Sequence, residues 1–461
     1  MIFHHPRVGI AGFHTNAHYA PDNVQALVKE AISLYIGSNQ GLESFIKGGE
    51  RVLIKPNWVL HLNKSGSSMD CMVTHPEFIL AVVELVAECK PSRIILGDAP
   101  LQRCQWDKLV DSNFQQRICS AARNIPVDFV DFRRTVMAGA SLSSAVHREI
   151  RPLDRYVLFD LGQDSLLEPI TEDGNFRVTM YDPEKLAKTH CPGRHQYLLA
   201  KEVFEADVVI NLPKLKTHRK SGLTAALKNL VGINGNKDYL PHHRVGGSAI
   251  GGDCYPGWAW WKHAAEGYYD EANRLIGTPE YDVWLKRSED LLNLYSRFYE
   301  SDLEGGWYGN DTCWRMNIDL NRCLIYGDSD GRLHNTQQRQ VLNLTDAIIC
   351  GQGEGPLAPL PQPLGIVTFS EYAAASDWAH AALLHLDPSK VRLLGGCLDP
   401  MRYPVLPEGT SPTFFTRSGQ LNYRELALTM GRKTEVPRGW RGHCELNFDD
   451  KKAELLTLGA R

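Results

Sequence analysis

Short β-type runs alternate with amphipathic stretches through the first half of this 461-residue chain, and that order leaves few folds open. VGIAG (residues 8–12) precedes an expected helix from Pro21 to about Ile36, and RVLIKPN (51–57) is a strand ending in a polar turn. HPEFILAVVELVAECK follows as a helix, with Thr74 in the N-cap position and Glu77 three residues on. RIILGDAP (93–100), VDFVDF (127–132), YVLFDLG (156–162) and ADVVINLP (206–213) repeat the strand-to-turn pattern. Strands alternating with helices predict an α/β fold, a mostly parallel sheet with helices on both faces. Ligands of such sheets sit beyond the carboxyl ends of the strands.

The length exceeds one ordinary core, so the pattern is divided. Residues 1–235 are expected to form the first part of the α/β core. Residues 236–325 form a glycine-rich loop and helical insertion, 326–400 the second part of the core, and 401–461 an irregular C-terminal extension. Seven glycines between Gly232 and Gly257, with the pair His242–His243, suggest a flexible loop or lid. A helical stretch from about Trp258 to Tyr299 carries a stripe of Trp284, Leu291, Leu292, Tyr295 and Phe298, expected to face the core. Residues 311–325 are expected to be helical. Residues 345–356 read as a strand opening into a glycine loop, and LGIVTF (364–369) as a further strand before a helix.

A net charge of −4 and a pI near 6.5 argue against a nucleic-acid or membrane-surface binder, so any anion recognition must be local. The eleven cysteines are scattered without a C-x-x-C pair, which fits free thiols in a reducing compartment and no iron–sulfur cluster. With no signal-like start and no long uncharged apolar run, the expectation is a cytoplasmic protein. Its partner is expected to be a small anionic substrate, with assembly into a homo-oligomer left open.

That local charge sits in residues 208–237, which hold Lys214, Lys216, Arg219, Lys220, Lys228 and Lys237 and no Asp or Glu. If 214–220 is extended, Lys214, Lys216, His218 and Lys220 share one side. If 222–231 is a helix, Thr224 and Lys228 lie one turn apart, and its N-terminus near Ser221 adds backbone N–H groups. Such a set can converge on a carboxylate or a phosphate, and clustered ammonium groups depress one another's pKa until one lysine can act as a base. A solvated basic turn is the bland alternative.

Three more polar turns end predicted strands. They carry Lys55 and Asn57 in KPN, Thr74 and His75 before Pro76, and Asp98 in GDAP. GQGEGP (351–356) places Glu354 in a glycine loop, and GDSDG (327–331) reads as a turn. Walker, dinucleotide, G-x-S-x-G and H-E-x-x-H motifs do not occur.

Taken together, VLIKPNWV, THPE, ILGDAP and above all INLPKLKTHRKSGLTAALKNLVG resemble the family called domain of unknown function 362. GQGEGP, with Asp346 before it and Asp377 after it, is similar to that family's C-terminal glycine motif. The resemblance spans roughly residues 50–385, with a long insertion around 240–320. Some members carry ferredoxin modules, but the cysteine pattern here does not support one. The family name assigns no reaction.

The site expected from these readings uses Lys214, Lys216, His218, Lys228, Asp98 and Glu354 as catalytic groups. Lys55, Asn57, Thr74, His75, Lys220, Thr224 and Asn229 would hold substrate. The leading expectation is an isomerase- or lyase-like enzyme acting on a small anionic metabolite by Lys/His acid–base chemistry. One alternative is Mg- or Mn-assisted phosphoryl transfer or hydrolysis with Asp98, Glu354 and Asp253 at the metal. The other is a non-catalytic anion-binding protein.

Overall fold

The computed structural model describes residues 5–12, 17–296 and 302–448. Its centre is an 11-stranded sheet. In chain order the strands are β1 (Arg7–Gly12), β2 (Arg51–Pro56), β3 (Arg93–Asp98), β4 (Val127–Asp131), β5 (Val208–Leu212), β6 (Lys214–His218), β7 (Gly222–Thr224), β8 (Gln340–Glu354), β9 (Ala358–Ser370), β10 (Thr413–Thr416) and β11 (Gly419–Leu421). Across the sheet the order is β11-β10-β1-β9-β8-β5-β2-β3-β4, with β6 parallel to β8 and antiparallel to β7. Strands β8, β5, β2, β3 and β4 are mutually parallel, and β1 and β8 both run antiparallel to β9.

Helices cover both faces because the parallel strands bury both of theirs. Val52 and Ile54 of β2 pack with Ile94, Leu96, Val208 and Ile210 under α1 (Pro21–Ile36), α2 (Pro76–Glu88) and α3 (Ser112–Ala121). Leu53, Ile95 and Val209 point the other way, towards α7 (Cys313–Tyr326) and a 3-stranded sheet of Tyr156–Asp160, Arg194–Ala200 and His190–Cys191. Each such side chain, fully buried, contributes ~2 kcal/mol. A third cluster joins β1 to α8 (Ala373–Leu383) and α9 (Tyr423–Met430).

Several local expectations are corrected. The cap of α2 is His75, whose Nδ1 accepts the N–H of Glu77, and not Thr74. Pro76 takes the first helical position, which makes its predecessor the cap. Residues 222–224 form β7 instead of starting a helix, and the helix shrinks to α4 (Ala226–Asn229). Residues 156–160 are a strand, but of the smaller sheet. Residues 258–296 hold two helices, α5 (Trp260–Arg274) and α6 (Glu280–Tyr295), broken where Gly277 takes a φ of 91° just before Pro279. Trp284, Leu291, Leu292 and Tyr295 are only half-buried there, and Phe298 lies outside the described residues.

The supposed lid is packed: Ile233, Leu240, His243, Asp253 and Cys254 are buried. From residue 401 to 448 the chain is largely irregular, with β10, β11 and α9 extending the sheet and its cover, and residues 449–461 lie outside the described residues. No helix among the described residues is long and apolar enough to cross a membrane.

Candidate active site

Parallel register aligns a polar row across three strands, because Asn211 of β5 stands opposite both Lys55 of β2 and Asn343 of β8. Asn211 Nδ2 donates to Asn343 Oδ1 (2.9 Å), and Asn229 Nδ2 donates to Asn211 Oδ1 (2.7 Å). Asn229 Oδ1 then accepts from Lys55 Nζ and Asn57 Nδ2, each at 2.9 Å. Asn57 Oδ1 accepts from Lys216 Nζ at 2.5 Å, and Met72 O is that ammonium's second acceptor. Thr74 Oγ1 donates to Leu212 O (2.7 Å) and accepts from Asn57 N (2.8 Å), which holds Asn57 in place.

Lys55 pairs with Asp98 at 2.7 Å, and both side chains are almost wholly buried. Burial pushes Lys55 down and Asp98 up, while each charge pulls the other back towards its ionised form. The main chain of Gly232 covers the pair so closely that a Cβ there would lie 1.9 Å from Asp98 Oδ1 and 2.6 Å from Lys55 Nζ. Lys216 hydrogen-bonds to no carboxylate, and Asp98 opposes its shift without contacting it. Burial, aided by Lys214, lowers its pKa to about 7.

Lys214 belongs to a neighbouring arrangement. Its Nζ is 2.6 Å from Asp346 Oδ2 and donates to the Tyr19 hydroxyl at 2.6 Å, and that hydroxyl donates to Asp346 Oδ1 at 2.8 Å. The Tyr19 ring stacks on His75 with centroids 3.7 Å apart. These two rings line a cleft of about 550 Å³ with Asp70, Glu77, Arg117 and Ile349. Lys214, which donates to the Tyr19 hydroxyl, lies directly behind this wall of the cleft.

On the other side, strand β6 continues to His218 and a turn carries Lys220, whose Nζ donates to Thr179 Oγ1 at 3.0 Å. Buried Lys228 meets the Cys313 thiol, and burial lowers its pKa. Lys237 donates to Ala99 O at 3.3 Å, and burial brings it down to about 8. The start of α4 is closed, because the Asp377 carboxylate accepts from Ala226 N (2.7 Å) and Leu227 N (2.9 Å). The expected anion-binding helix terminus near Ser221 is therefore occupied by a side chain of the protein itself. Thr224 is buried opposite Lys216 on β7.

Glu354 does not join the lysines. It stands near the tip of the β8–β9 hairpin, 3.5 Å from Arg219 Nε, and accepts from Arg438 N at 2.8 Å. Asp253 is held by Arg244, Asp311 N and Thr312 Oγ1. Asp98, Asp253 and Glu354 thus have separate partners, and no group of three or more His, Cys, Asp or Glu placed to hold a metal occurs among the described residues. Sequence reasoning missed Tyr19, Asn211 and Asn343. The two asparagines were detectable as polar residues inside the apolar runs VVINL and VLNL, whereas nothing near Tyr19 marks it.

The family model described as "Domain of unknown function (DUF362)" matches residues 52–157 and 161–382. A thylakoid-associated protein, sll1697, of Synechocystis sp. is 24% identical over 355 residues, covering 76% of this chain and 68% of that protein. A crystal structure of a protein from Thermotoga maritima aligns at 11% identity and a TM-score of 0.30, over 75% of this chain and 55% of the other.

Proposed function

From a chain that belongs to the domain of unknown function 362 family, whose description names no reaction, we propose an enzyme that acts on a small anionic metabolite through Lys/His acid–base chemistry, in the manner of an isomerase or lyase. One observation carries the reading. Lys216, Lys228 and Lys237 are buried and hydrogen-bond only to neutral groups, with the Asp98 charge acting on Lys216 and Lys237 without contact, whereas Lys55 and Lys214 each have a carboxylate in contact. An isolated buried ammonium is costly, and it either loses its proton or takes an anionic ligand. Both outcomes serve proton abstraction next to a carboxylate or phosphate. Lys216, with a pKa near 7, is half neutral at neutral pH and can accept a proton. Lys55, held by Asp98 and Asn229, stabilises the negative charge that develops.

In this reading Asp98 positions Lys55, Asn57 and Asn229 orient the reacting groups, and Thr74 fixes Asn57. Metal-assisted chemistry gains no support from the donor set described above. The protein is taken as cytoplasmic and independent of nucleic acid and membrane, although the Synechocystis relative is named for association with thylakoids. Cell fractionation decides that point.

The test is to incubate the protein with small carboxylates and phosphorylated metabolites in D2O and follow the ligand protons by NMR. The wild type is expected to wash deuterium into a carbon next to the anionic or carbonyl group, and Lys216→Met to lose this. Binding without exchange for any ligand would leave a non-catalytic anion binder. Equal exchange by both proteins would remove Lys216 as the base.

A further inference from the structure

The cationic set is not uniform along its length. At the Lys55 end it is interleaved with amide groups and Asp98, which suits a substrate part that both donates and accepts hydrogen bonds. At the other end the charged groups are of one sign. The charged neighbours of His218 are Lys228, Lys220, Lys216 and Arg219, and those of His242 are Lys228 and Lys220, with His218 beside them. Lys228 faces Lys220 and the Cys313 thiol. The nearest acids are engaged elsewhere: Asp302, Glu304 and Glu354 lie on Arg219, and Asp253 lies on Arg244 and Thr312.

The ring tautomers follow from geometry. His218 Nδ1 accepts the N–H of Lys220 at 3.0 Å, so its proton is on Nε2, which is the donor. His242 Nδ1 faces Leu240 O at 2.7 Å and must carry its proton, so its Nε2 is an acceptor. Two ammonium groups, one ring N–H and one ring acceptor are thus gathered where no carboxylate compensates them. Lys228 and His218 are buried, and half-buried His242 and Lys220 give the group a solvent side.

We infer that Lys220, Lys228, His218 and His242 form a subsite for the phosphoryl group of a phosphorylated small metabolite. This rests on the reading of the site as an anion-directed enzyme and names its substrate class. A phosphate monoester carries close to two negative charges at neutral pH and matches two ammonium groups, whereas a carboxylate would leave one uncompensated. The dianion's oxygens accept from both lysines and from the Nε2–H of His218, with the His242 ring beside them. The rest of the substrate then extends towards Lys216 and the Asn57–Asn229 amides.

The experiment is thermal denaturation of the full chain with inorganic phosphate, acetate or chloride at matched ionic strength and neutral pH. Phosphate is expected to raise Tm in a saturable way that acetate and chloride do not reproduce. Lys228→Met, and Lys220→Met at the more tolerant half-exposed position, are each expected to weaken phosphate binding about tenfold or more. Lys216→Met is expected to retain it. An equal effect of acetate, or wild-type phosphate affinity in Lys220→Met, would overturn the assignment. Saturable phosphate protection in a protein that exchanges no ligand proton would keep the subsite and end the acid–base reading. Proton exchange on unphosphorylated acids with no response to phosphate would do the reverse.

Discussion

Lys55 and Asp98 share one buried ion pair, and each is costly without the other. Asp98→Asn is expected to destabilise the protein by about 3–5 kcal/mol, because it leaves Lys55 charged and uncompensated. Urea denaturation measures this. The double variant Lys55→Met/Asp98→Asn should recover much of the loss, and additive losses in that cycle would show that the pair is not coupled. The lysines were legible at this scale because nothing acidic interrupts residues 208–237. Asp98 was legible as an acid at a strand end, but its pairing with Lys55 and that of Asp346 with Lys214 were not, because each joins segments distant in sequence. Glu354 was legible as an acid in a glycine loop, but the hairpin that carries it pairs it with Arg219 instead.

Short α4 exists largely because Asp377 of α8 accepts both of its leading N–H groups. A four-residue helix is far below the length that holds itself together in water. Asp377→Ala should therefore cost about 2 kcal/mol and loosen Lys228 and Asn229, seen as faster amide hydrogen exchange across residues 226–229. Unchanged exchange would mean that other contacts set α4. Gly232→Ala tests the neighbouring contact. Its methyl group overlaps the Asp98 carboxylate, so a loss of stability of at least about 1–3 kcal/mol is expected in denaturant titration.

The parallel strands were predictable at this scale from their continuous apolar runs. The fate of residues 222–224 was not, since GLT fits a strand or a helix start equally well and pairing with β6 decides it. The capping role of His75 follows from Pro76 once proline is given the first helical position.

Across the molecule, strands β2 and β6 bring Lys55, Lys214 and Lys216 into the interior against Asp98 and Asp346, and in the proposed reading a ligand or proton loss relieves the excess charge. The sign for Lys216 is definite. Its pKa is near 7 when folded and near the ordinary lysine value when unfolded, so the unfolded chain binds more protons above pH 7. The penalty is complete below pH 7 and disappears as pH rises towards about 10. The stability of wild type relative to Lys216→Met should accordingly rise with pH over that window, by on the order of 1.4 kcal/mol per unit. Taking the difference between the two proteins cancels the thiols and tyrosines they share. A difference independent of pH would place an ordinary lysine at this position.

The alternation of strand and helix made the general architecture readable in advance. The packing of residues 232–257 was not readable, since glycines serve a close-packed turn and a mobile lid alike. The central claim is that buried lysines without carboxylates await negative charge, and the most direct measurement is the side-chain nitrogen shift of Lys216 in protein labelled with 15N-lysine, titrated with pH with and without phosphate. The account predicts a midpoint near 7 in the ligand-free protein that moves upward when anion is bound. A midpoint at the ordinary lysine value, unmoved by anion, would contradict it.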